Sequence, residues 1–513
     1  MDTMIDALQS AAAEAPDRTF CVFEQRRTIF ADFFDRVRRV AAGLQAFGLA
    51  KDQRIAFLGK NSDRALEVVY GGAMALHPAA VINWRLALPE WIDIVRDTGS
   101  TVLFADGEYL TQALEVTKAL PVIRQVIVID GPAQRPDAPT LDYDTWLEAC
   151  SPLQTWAISA DDDFLQLYTS GTTGRPKGVR LTHANYASLV EQWCVLIGPP
   201  PSDENLLIFM PFFHASGITF PILAVRYRTS VEIQRAPDAD RIFQALESGR
   251  VTAMVMVPTL IGMLVPKASA GAYPKLRRIY YGASTIDAPL LERAMAVFDC
   301  EFVQIYGATE TTAALTLLSP DDHRRGGHYI TSAGRFCSLS QVHLTSPEGT
   351  RLPPGETGEV WVRSASIMKG YWNNPDATRD AIVDGWYRTG DVGRVDDEGY
   401  LYIVDRAKDM IVSGGENVYS AEVENVLAAH PHVKEVAVVA SPDAHWGEIV
   451  TACIVPHPGH DMTLEGLREF ARERLAGYKL PRRLVLLDAL PRNPLGKVLK
   501  GTLRTQMKQG APA

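Results

Sequence analysis

Cysteine is scarce: six in 513 residues, at Cys21, Cys150, Cys194, Cys300, Cys337 and Cys453. They are scattered, with no Cys-x-x-Cys pair, which argues against a zinc site or a disulfide frame and for free thiols in a reducing compartment. Positive charge is in deficit: 51 Lys and Arg against 61 Asp and Glu leave a net charge of −10. That balance argues against a general nucleic-acid binder and against a membrane surface held by basic residues. Long apolar runs are missing. The most apolar stretch, 251–265, is interrupted by Pro258 and falls short of the roughly 20 residues that span a bilayer. The first residues, Met1-Asp2-Thr3-Met4-Ile5-Asp6, lack the basic-then-apolar order of a secretory signal. No internal repeat of fixed period is visible. A cytoplasmic protein is expected, with no integral membrane segment and no nucleic-acid partner.

What the chain does have is length and alternation. Its 513 residues exceed one ordinary core, so two or more domains are expected. Hydrophobic residues make up 47% and charged residues 22%, a globular balance. Residues 30–44 carry apolar side chains at helical spacing, with Gly48 beyond their end. Residues 54–58, 101–105 and 126–129 read as strands, with a helix starting at Ser62. The alternation continues through strands at 164–168, 206–210, 253–257, 278–283 and 302–307, with a helix from about Ala288. This predicts parallel or mixed sheets covered by helices. The ends of the last four strands are expected to line one cleft, because ligands of open α/β sheets bind beyond the carboxyl ends of strands. After Ser319, short strands and Gly-containing turns predict an antiparallel β region. Beyond a charged run at 405–409, helices at 421–427 and 464–475 and strands at 433–439 and 450–455 predict a small α+β domain.

One stretch stands apart. Leu167-Tyr168-Thr169-Ser170-Gly171-Thr172-Thr173-Gly174-Arg175-Pro176-Lys177-Gly178 follows an apolar strand-like run and gathers four Ser/Thr hydroxyls, three glycines and a lysine. Glycines let backbone N–H groups come close to an anion, and hydroxyls and an ammonium add donors and charge. That is the chemistry of a polyphosphate loop; a surface turn shares the composition. It is not a Walker A loop, which needs Gly directly before Lys and Ser or Thr directly after it. Here Pro176 precedes Lys177 and Gly178 follows.

The order of these residues is more specific than their composition. It resembles the AMP-binding signature of the adenylate-forming family, which includes acyl-CoA synthetases, luciferases and peptide-synthetase adenylation domains. Further motifs, in order, extend the resemblance over nearly the whole chain. Tyr306-Gly307-Ala308-Thr309-Glu310-Thr311 resembles the strand end that meets the nucleotide. The resemblance implies that Thr309 faces phosphate and that Glu310, with Thr169, holds Mg²⁺, a hard cation that takes oxygen ligands and few carboxylates. Tyr387-Arg388-Thr389-Gly390-Asp391-Val392-Gly393 resembles the motif whose aspartate, here Asp391, binds ribose hydroxyls. Asp405-Arg406-Ala407-Lys408-Asp409 resembles the hinge, with Arg406 on the ribose or phosphate side and Lys408 as the pivot. Ser413-Gly414-Gly415-Glu416-Asn417-Val418-Tyr419 resembles the loop that lines the thiol tunnel, where Gly414 and Gly415 admit a pantetheine arm. Pro491-Arg492-Asn493-Pro494-Leu495-Gly496-Lys497-Val498-Leu499-Lys500 resembles the motif of the adenylation lysine, a role carried to Lys497. His214, after Met210-Pro211-Phe212-Phe213, matches an aromatic-rich motif near the acyl group and has a positional role. Taken singly, each has an ordinary counterpart: a turn aspartate, a charged linker, a Gly-Gly turn, a surface lysine, a packed histidine. Phe336 after Gly334-Arg335, and His77-Pro78-Ala79-Ala80-Val81, depart from the family pattern without removing a catalytic group.

The fold implied is α/β: a large multi-subdomain N-terminal domain, 1–404, of two α/β sheets plus a β region, a hinge at 405–409, and a small mobile α+β C-terminal domain, 410–513. The chemistry implied has two steps. A carboxylate attacks the α-phosphate of ATP, giving an acyl-adenylate and pyrophosphate. Thr169, Ser170, Gly171, Thr172, Thr173, Gly174 and Lys177 hold the phosphates, Glu310 the Mg²⁺, and Lys497 stabilises the transition state. The thiol of coenzyme A then displaces AMP after the small domain rotates. Candidate acid-pocket residues are Phe213, His214, Ser216, Val257, Leu260, Tyr281, Gly282, Ala283, Gln304, Tyr306 and Gly307. They are mostly apolar or small, and no Lys or Arg among them would receive a second carboxylate. A medium- or long-chain fatty acid comes first, then an aromatic or alicyclic acid. A free-standing carrier-protein ligase is the alternative on the thiol side. A sensor without turnover would be expected to lack Lys497 or Glu310, and a scaffold would not keep the ordered motifs. The partners expected are a small carboxylic acid, ATP, coenzyme A and a second copy of the chain in a homodimer.

Overall fold

The computed structural model describes residues 3–131, 140–169, 176–346, 349–406, 409–413, 416–443, 446–472, 474–492 and 498–508. It contains two compact units. One holds the residues up to 341 together with 363–387; the other holds 342–362 together with those from 388 onward.

The first unit is built on two large sheets. In one, the strands Asn205–Ile208, Ala253–Met256, Arg278–Gly282 and Glu301–Tyr306 are parallel neighbours, so the four expected strand ends do share one edge. Beyond Glu301–Tyr306 the sheet continues antiparallel with Thr316–Leu318 and Arg335–Phe336; on its other side lie Ser230–Ile233, Thr19–Phe23 and Arg26–Ile29. The second sheet has eight strands. Ala79–Ile82, Ile55–Leu58, Val102–Asp106, Gln125–Ile129 and Thr140–Asp142 are parallel, and Asp163–Thr169 joins them in parallel beside Ala79–Ile82. The signature segment then reverses. Lys177–Thr182 runs antiparallel to Asp163–Thr169, with Thr169 opposite Lys177. The short strand Gly370–Tyr371 adds antiparallel to its outer side.

Local chemistry sets several boundaries. Ser62 caps Asp63–Met74, its hydroxyl accepting from Ala65 N at 3.1 Å. Pro258, which interrupts the apolar run, opens the helix Pro258–Leu264 directly after a buried strand. Gly71 lets Asp63–Met74 press on Phe30–Ala46: a Cβ there would stand 2.4 Å from Val40 Cγ1. Ala79 and Ala80, part of a departure from the family pattern, are fully buried in a central strand.

The second unit holds all but the boundary residues of Gln341–Thr345, Thr357–Arg363 and Trp386–Val395, successive strands of one sheet, with Leu401–Arg406 antiparallel to Trp386–Val395. A second sheet runs Glu416–Val418, Ile411–Ser413, Gly447–Pro456 and Val433–Asp443, with Arg483–Leu486 parallel to Gly447–Pro456. Helices Ser420–Ala428 and Leu464–Arg472 cover one face around Val423, Leu427, Leu467 and Ile454. Lys500–Lys508 supplies Leu503 and Met507 to the core on Ala437, Val439 and Cys453. The expected hinge run, 405–409, lies within the residues of this unit.

Arg54 is the largest charged group in the first unit's interior, 1% exposed. Its guanidinium pairs with Asp163, donates to Gln166 Oε1 at 2.9 Å and to Asp52 O at 2.9 Å, and lies 3.8 Å from the centre of the Trp372 ring. Removing one member of such a buried pair strands the other charge. Asp163→Asn is expected to lower the stability of this unit by about 3–5 kcal/mol, read as a shifted urea transition. A loss under about 1 kcal/mol, the level of a surface pair, would show that Gln166, the Asp52 carbonyl and the Trp372 ring suffice for the buried Arg54 cation.

Candidate nucleotide and acid site

Glu310 stands at the centre of what the structure gathers. The strand Glu301–Tyr306 ends in Gly307, where a Cβ would lie 2.3 Å from Ala313 O, so only glycine fits the reversal. A 3₁₀ turn, Thr309–Thr311, follows and is closed by Thr311 Oγ1, which accepts from Ala308 N at 2.9 Å. This turn delivers Glu310 to the mouth of the signature hairpin. Thr169 Oγ1 lies 3.4 Å from Glu310 Oε1, and the Tyr371 hydroxyl donates to the same oxygen at 2.9 Å. Lys177 Nζ sits 4.8 Å from the centre of the Tyr371 ring. Burial first, and then the adjacent carboxylate, push the Tyr371 phenol well above its ordinary pKa, so at neutral pH it is a donor. Thr169 and Lys177 of the signature segment and Glu310 of a distant motif are thus brought together, and Tyr371 is added to them.

Both protein donors reach one carboxylate oxygen. Among the described residues nothing donates to Glu310 Oε2. A carboxylate with one oxygen pinned and the other open, beside a threonine hydroxyl, fits a hard cation that draws its remaining ligands from phosphate and water. Ser170, Gly171, Thr172, Thr173 and Gly174 lie outside the described residues, as do Lys408, Gly414, Gly415 and Lys497.

The signature tyrosine is engaged by Asp97 and Gln166. Tyr168 donates to Asp97 Oδ2 at 2.6 Å and accepts from Gln166 Nε2 at 3.0 Å; burial raises the Asp97 carboxyl. Its role here is to brace the strand that carries Thr169.

The acid-pocket candidates divide. Phe213, His214 and Ser216 follow the strand Asn205–Ile208 and open the helix Ala215–Tyr227. Asn61 holds that segment: it donates to Met210 O and accepts from Phe212 N, both at 2.9 Å. His214 Nδ1 lies 3.3 Å from Ser216 Oγ. Gly217 is required, since a Cβ would come within 2.2 Å of Pro211 O. Val257 and Leu260 lie half-buried at the start of Pro258–Leu264. Gly282 lies against its neighbour strand, where a Cβ would be 2.1 Å from Ile305 O, and Ala283 takes a left-handed φ of 70°. Tyr281 is not presented with these. Its side chain is fully buried and its hydroxyl lies 2.8 Å from His323 Nε2. Gln304 is on the same face, Oε1 3.4 Å from the Tyr281 hydroxyl. Strand alternation explains this: Tyr280, one residue earlier, points to the opposite face, against Phe220 and Trp193.

In the second unit Asp391 and Arg406 sit opposite each other on paired strands, and Arg406 Nε contacts Asp391 Oδ1 at 2.5 Å. Asp391 is buried; its N–H donates to Thr389 Oγ1 at 3.0 Å across the left-handed Gly390. Lys500, the other lysine of the C-terminal motif, donates to Ser420 Oγ at 2.6 Å and pairs with Glu424 at 2.8 Å.

Sequence reasoning missed Asn61, Asp97 and Tyr371. The only sequence signal for the last was an aromatic pair, Tyr371-Trp372, in a Gly-, Asn- and Pro-containing stretch.

Comparison with known proteins agrees with this geometry. Residues 8–372 match the AMP-binding enzyme family and residues 422–497 the AMP-binding enzyme C-terminal domain. A fatty acid–[acyl-carrier-protein] ligase of Streptomyces coeruleorubidus is 35% identical over 98% of this chain and 96% of its own. A feruloyl-CoA synthase of an Amycolatopsis species is 36% identical over 93% of each. Among solved structures, the o-succinylbenzoate CoA synthetase of Bacillus subtilis with its acyl-adenylate intermediate superposes with a TM-score of 0.84, at 29% identity over 97% of both chains. The same enzyme with ATP and magnesium ion gives 0.83, at 28% identity over 98% of both. The chain therefore belongs to the AMP-binding enzymes, the adenylate-forming family whose ordered motifs it carries.

Proposed function

We propose that this protein is an ATP-dependent acid–thiol ligase, converting a carboxylic acid, ATP and coenzyme A into an acyl-CoA, AMP and pyrophosphate through an acyl-adenylate. The observation that carries the proposal is the convergence of Thr169 and Lys177, from the signature hairpin, with Glu310, from a distant turn; no described residue donates to the second Glu310 oxygen. Glu310 and Thr169 would hold Mg²⁺, which when bound supplies positive charge against the phosphates. Lys177 and the loop hydroxyls and N–H groups orient the leaving pyrophosphate. Tyr306 and Gly307 meet the nucleotide, Thr309 faces its phosphate, and Asp391 takes the ribose hydroxyls with Arg406 beside it. Lys497 offsets charge at the α-phosphate in the first step. The Gly414-Gly415 backbone receives the thiol in the second, about Lys408 as the pivot. A thiol with a pKa near 8.5 is a few per cent ionised at pH 7, so no dedicated base is needed.

The acid is an apolar monocarboxylate: Phe213, Val257 and Leu260 supply apolar surface, and no cation stands among the candidates for a second carboxylate. A medium- or long-chain fatty acid is the first reading, with the Streptomyces relative named for a fatty acid. One observation favours the second, an aromatic or alicyclic acid. The rings of Trp193, Phe220 and Tyr280 pack on one another at 5.1–5.6 Å, filling the space between sheet and helix one helical turn past Ser216. A long chain taking that path would have to displace them. The Streptomyces relative is named for a carrier protein and the Amycolatopsis one for CoA, so the same assay must offer both thiols.

A panel of straight-chain and cinnamate-type acids with ATP and either coenzyme A or a phosphopantetheinylated carrier, scored by AMP release, tests the assignment. If the rings close the pocket, compact aryl acids outpace long chains, and Phe220→Ala moves the preference toward longer acids. An unchanged profile would remove the rings from the pocket. Lys497→Ala is expected to abolish acid-dependent pyrophosphate release while sparing thioester formation from a supplied acyl-adenylate; equal loss of both steps would sink the assignment of Lys497 to the first step alone.

A further inference from the structure

We propose that Tyr371 is a positioning residue of the nucleotide site: its hydroxyl fixes the rotamer of the Glu310 carboxylate so that one oxygen stays turned toward the cation, while its ring carries Lys177. The inference rests on the assignment of Glu310 to Mg²⁺ made above.

The segment that carries the ring is held on both flanks. The strand Gly370–Tyr371 pairs with Lys177–Thr182, Tyr371 opposite Val179. Tyr371 N donates to Thr378 Oγ1 at 2.9 Å, and Trp372 N donates to Gly178 O at 2.7 Å. The Trp372 indole N–H donates to Asp97 O at 3.0 Å, and its ring lies over the buried Arg54. Upstream, Met368 N donates to Glu310 O at 2.8 Å. The 368–371 segment thus grips Glu310 by both backbone and side chain. A glutamate has three rotatable side-chain bonds, and fixing them in advance spares the entropy of ordering them on binding. Thr169, at 3.4 Å, is too distant to fix the carboxylate alone. The lysine gains as well: an ammonium resting on a tyrosine face is attracted to it and stays near the hairpin mouth.

Tyr371→Phe separates the two roles, because it keeps the ring for Lys177 and removes only the hydroxyl. The measurement is titration calorimetry of ATP, with Mg²⁺ and with EDTA, and of AMP, on the full chain without acid substrate. The expected result is a loss of roughly 10–100-fold in the Mg²⁺-dependent gain in ATP affinity, with AMP and metal-free ATP binding unchanged. A gain preserved in Tyr371→Phe, or a parallel fall in AMP and metal-free ATP binding, overturns the proposal. Glu310→Gln separates the two assignments. If it loses the gain while Tyr371→Phe keeps it, the positioning role alone fails; if it keeps the gain, the metal assignment fails and the positioning role with it.

Discussion

One carboxylate joins the two sheets of the first unit at their functional edge. Glu310 comes from the turn after a strand of the nine-stranded sheet, and the groups that hold it, Thr169 and Tyr371, come from the eight-stranded one. Neither sheet alone makes a phosphate site. The first offers a row of parallel strand ends; the second offers a hairpin with hydroxyls and a lysine. They meet at a single oxygen, Glu310 Oε1, and on the proposed assignment a nucleotide crosses there from one sheet to the other. The buried Arg54–Asp163 pair serves the same end from below, because the Trp372 ring that covers Arg54 is the residue after Tyr371.

Backbone proximity does the rest of the shaping. At Gly217, Gly282 and Gly307 an added Cβ would come within 2.1–2.3 Å of a carbonyl oxygen, a distance no side chain tolerates. Gly282 and Gly307 sit at strand ends and Gly217 in the first turn of the helix Ala215–Tyr227. At each the backbone packs so closely on a neighbouring carbonyl that only glycine fits. His214, at the N-cap of its helix, follows the 210–212 segment that Asn61 bridges and lies beside Ser216 Oγ.

Much of this was legible in the sequence, and the exceptions have physical causes. Strands at 205–208, 253–256, 278–282 and 301–306 announced themselves by short apolar runs ending in small residues. The helix from Ser62 announced itself by its cap. Ala79–Ile82 did not, because its alanines carry little strand preference; its burial between two strands decides the matter. Tyr281 was expected at the pocket on sequence position, but a one-residue step along a strand reverses the face, and pairing with His323 claimed it. Tyr371 was invisible for another reason. Its partners Glu310 and Lys177 are far away in the chain, and the edge pairing that unites them leaves no periodic mark.

The assignment of lysines follows from what each ammonium already does. Lys177 belongs to the signature hairpin and rests on the Tyr371 ring, whose hydroxyl reaches Glu310; in the proposed assignment its charge lies on the side of the metal and the departing phosphates. Lys500 is committed, paired with Glu424 and bonded to Ser420, whose N–H and hydroxyl in turn reach Asp405. That network pins the C-terminal helix to the helix Ser420–Ala428, and a lysine withdrawn from it would leave the largely buried Glu424 without its counter-charge. A lysine needed for one chemical step and absent from the next cannot carry such a structural load. Of the two lysines in the C-terminal motif, Lys497 is therefore the better candidate for the adenylation step, and Lys500 anchors the segment that carries it.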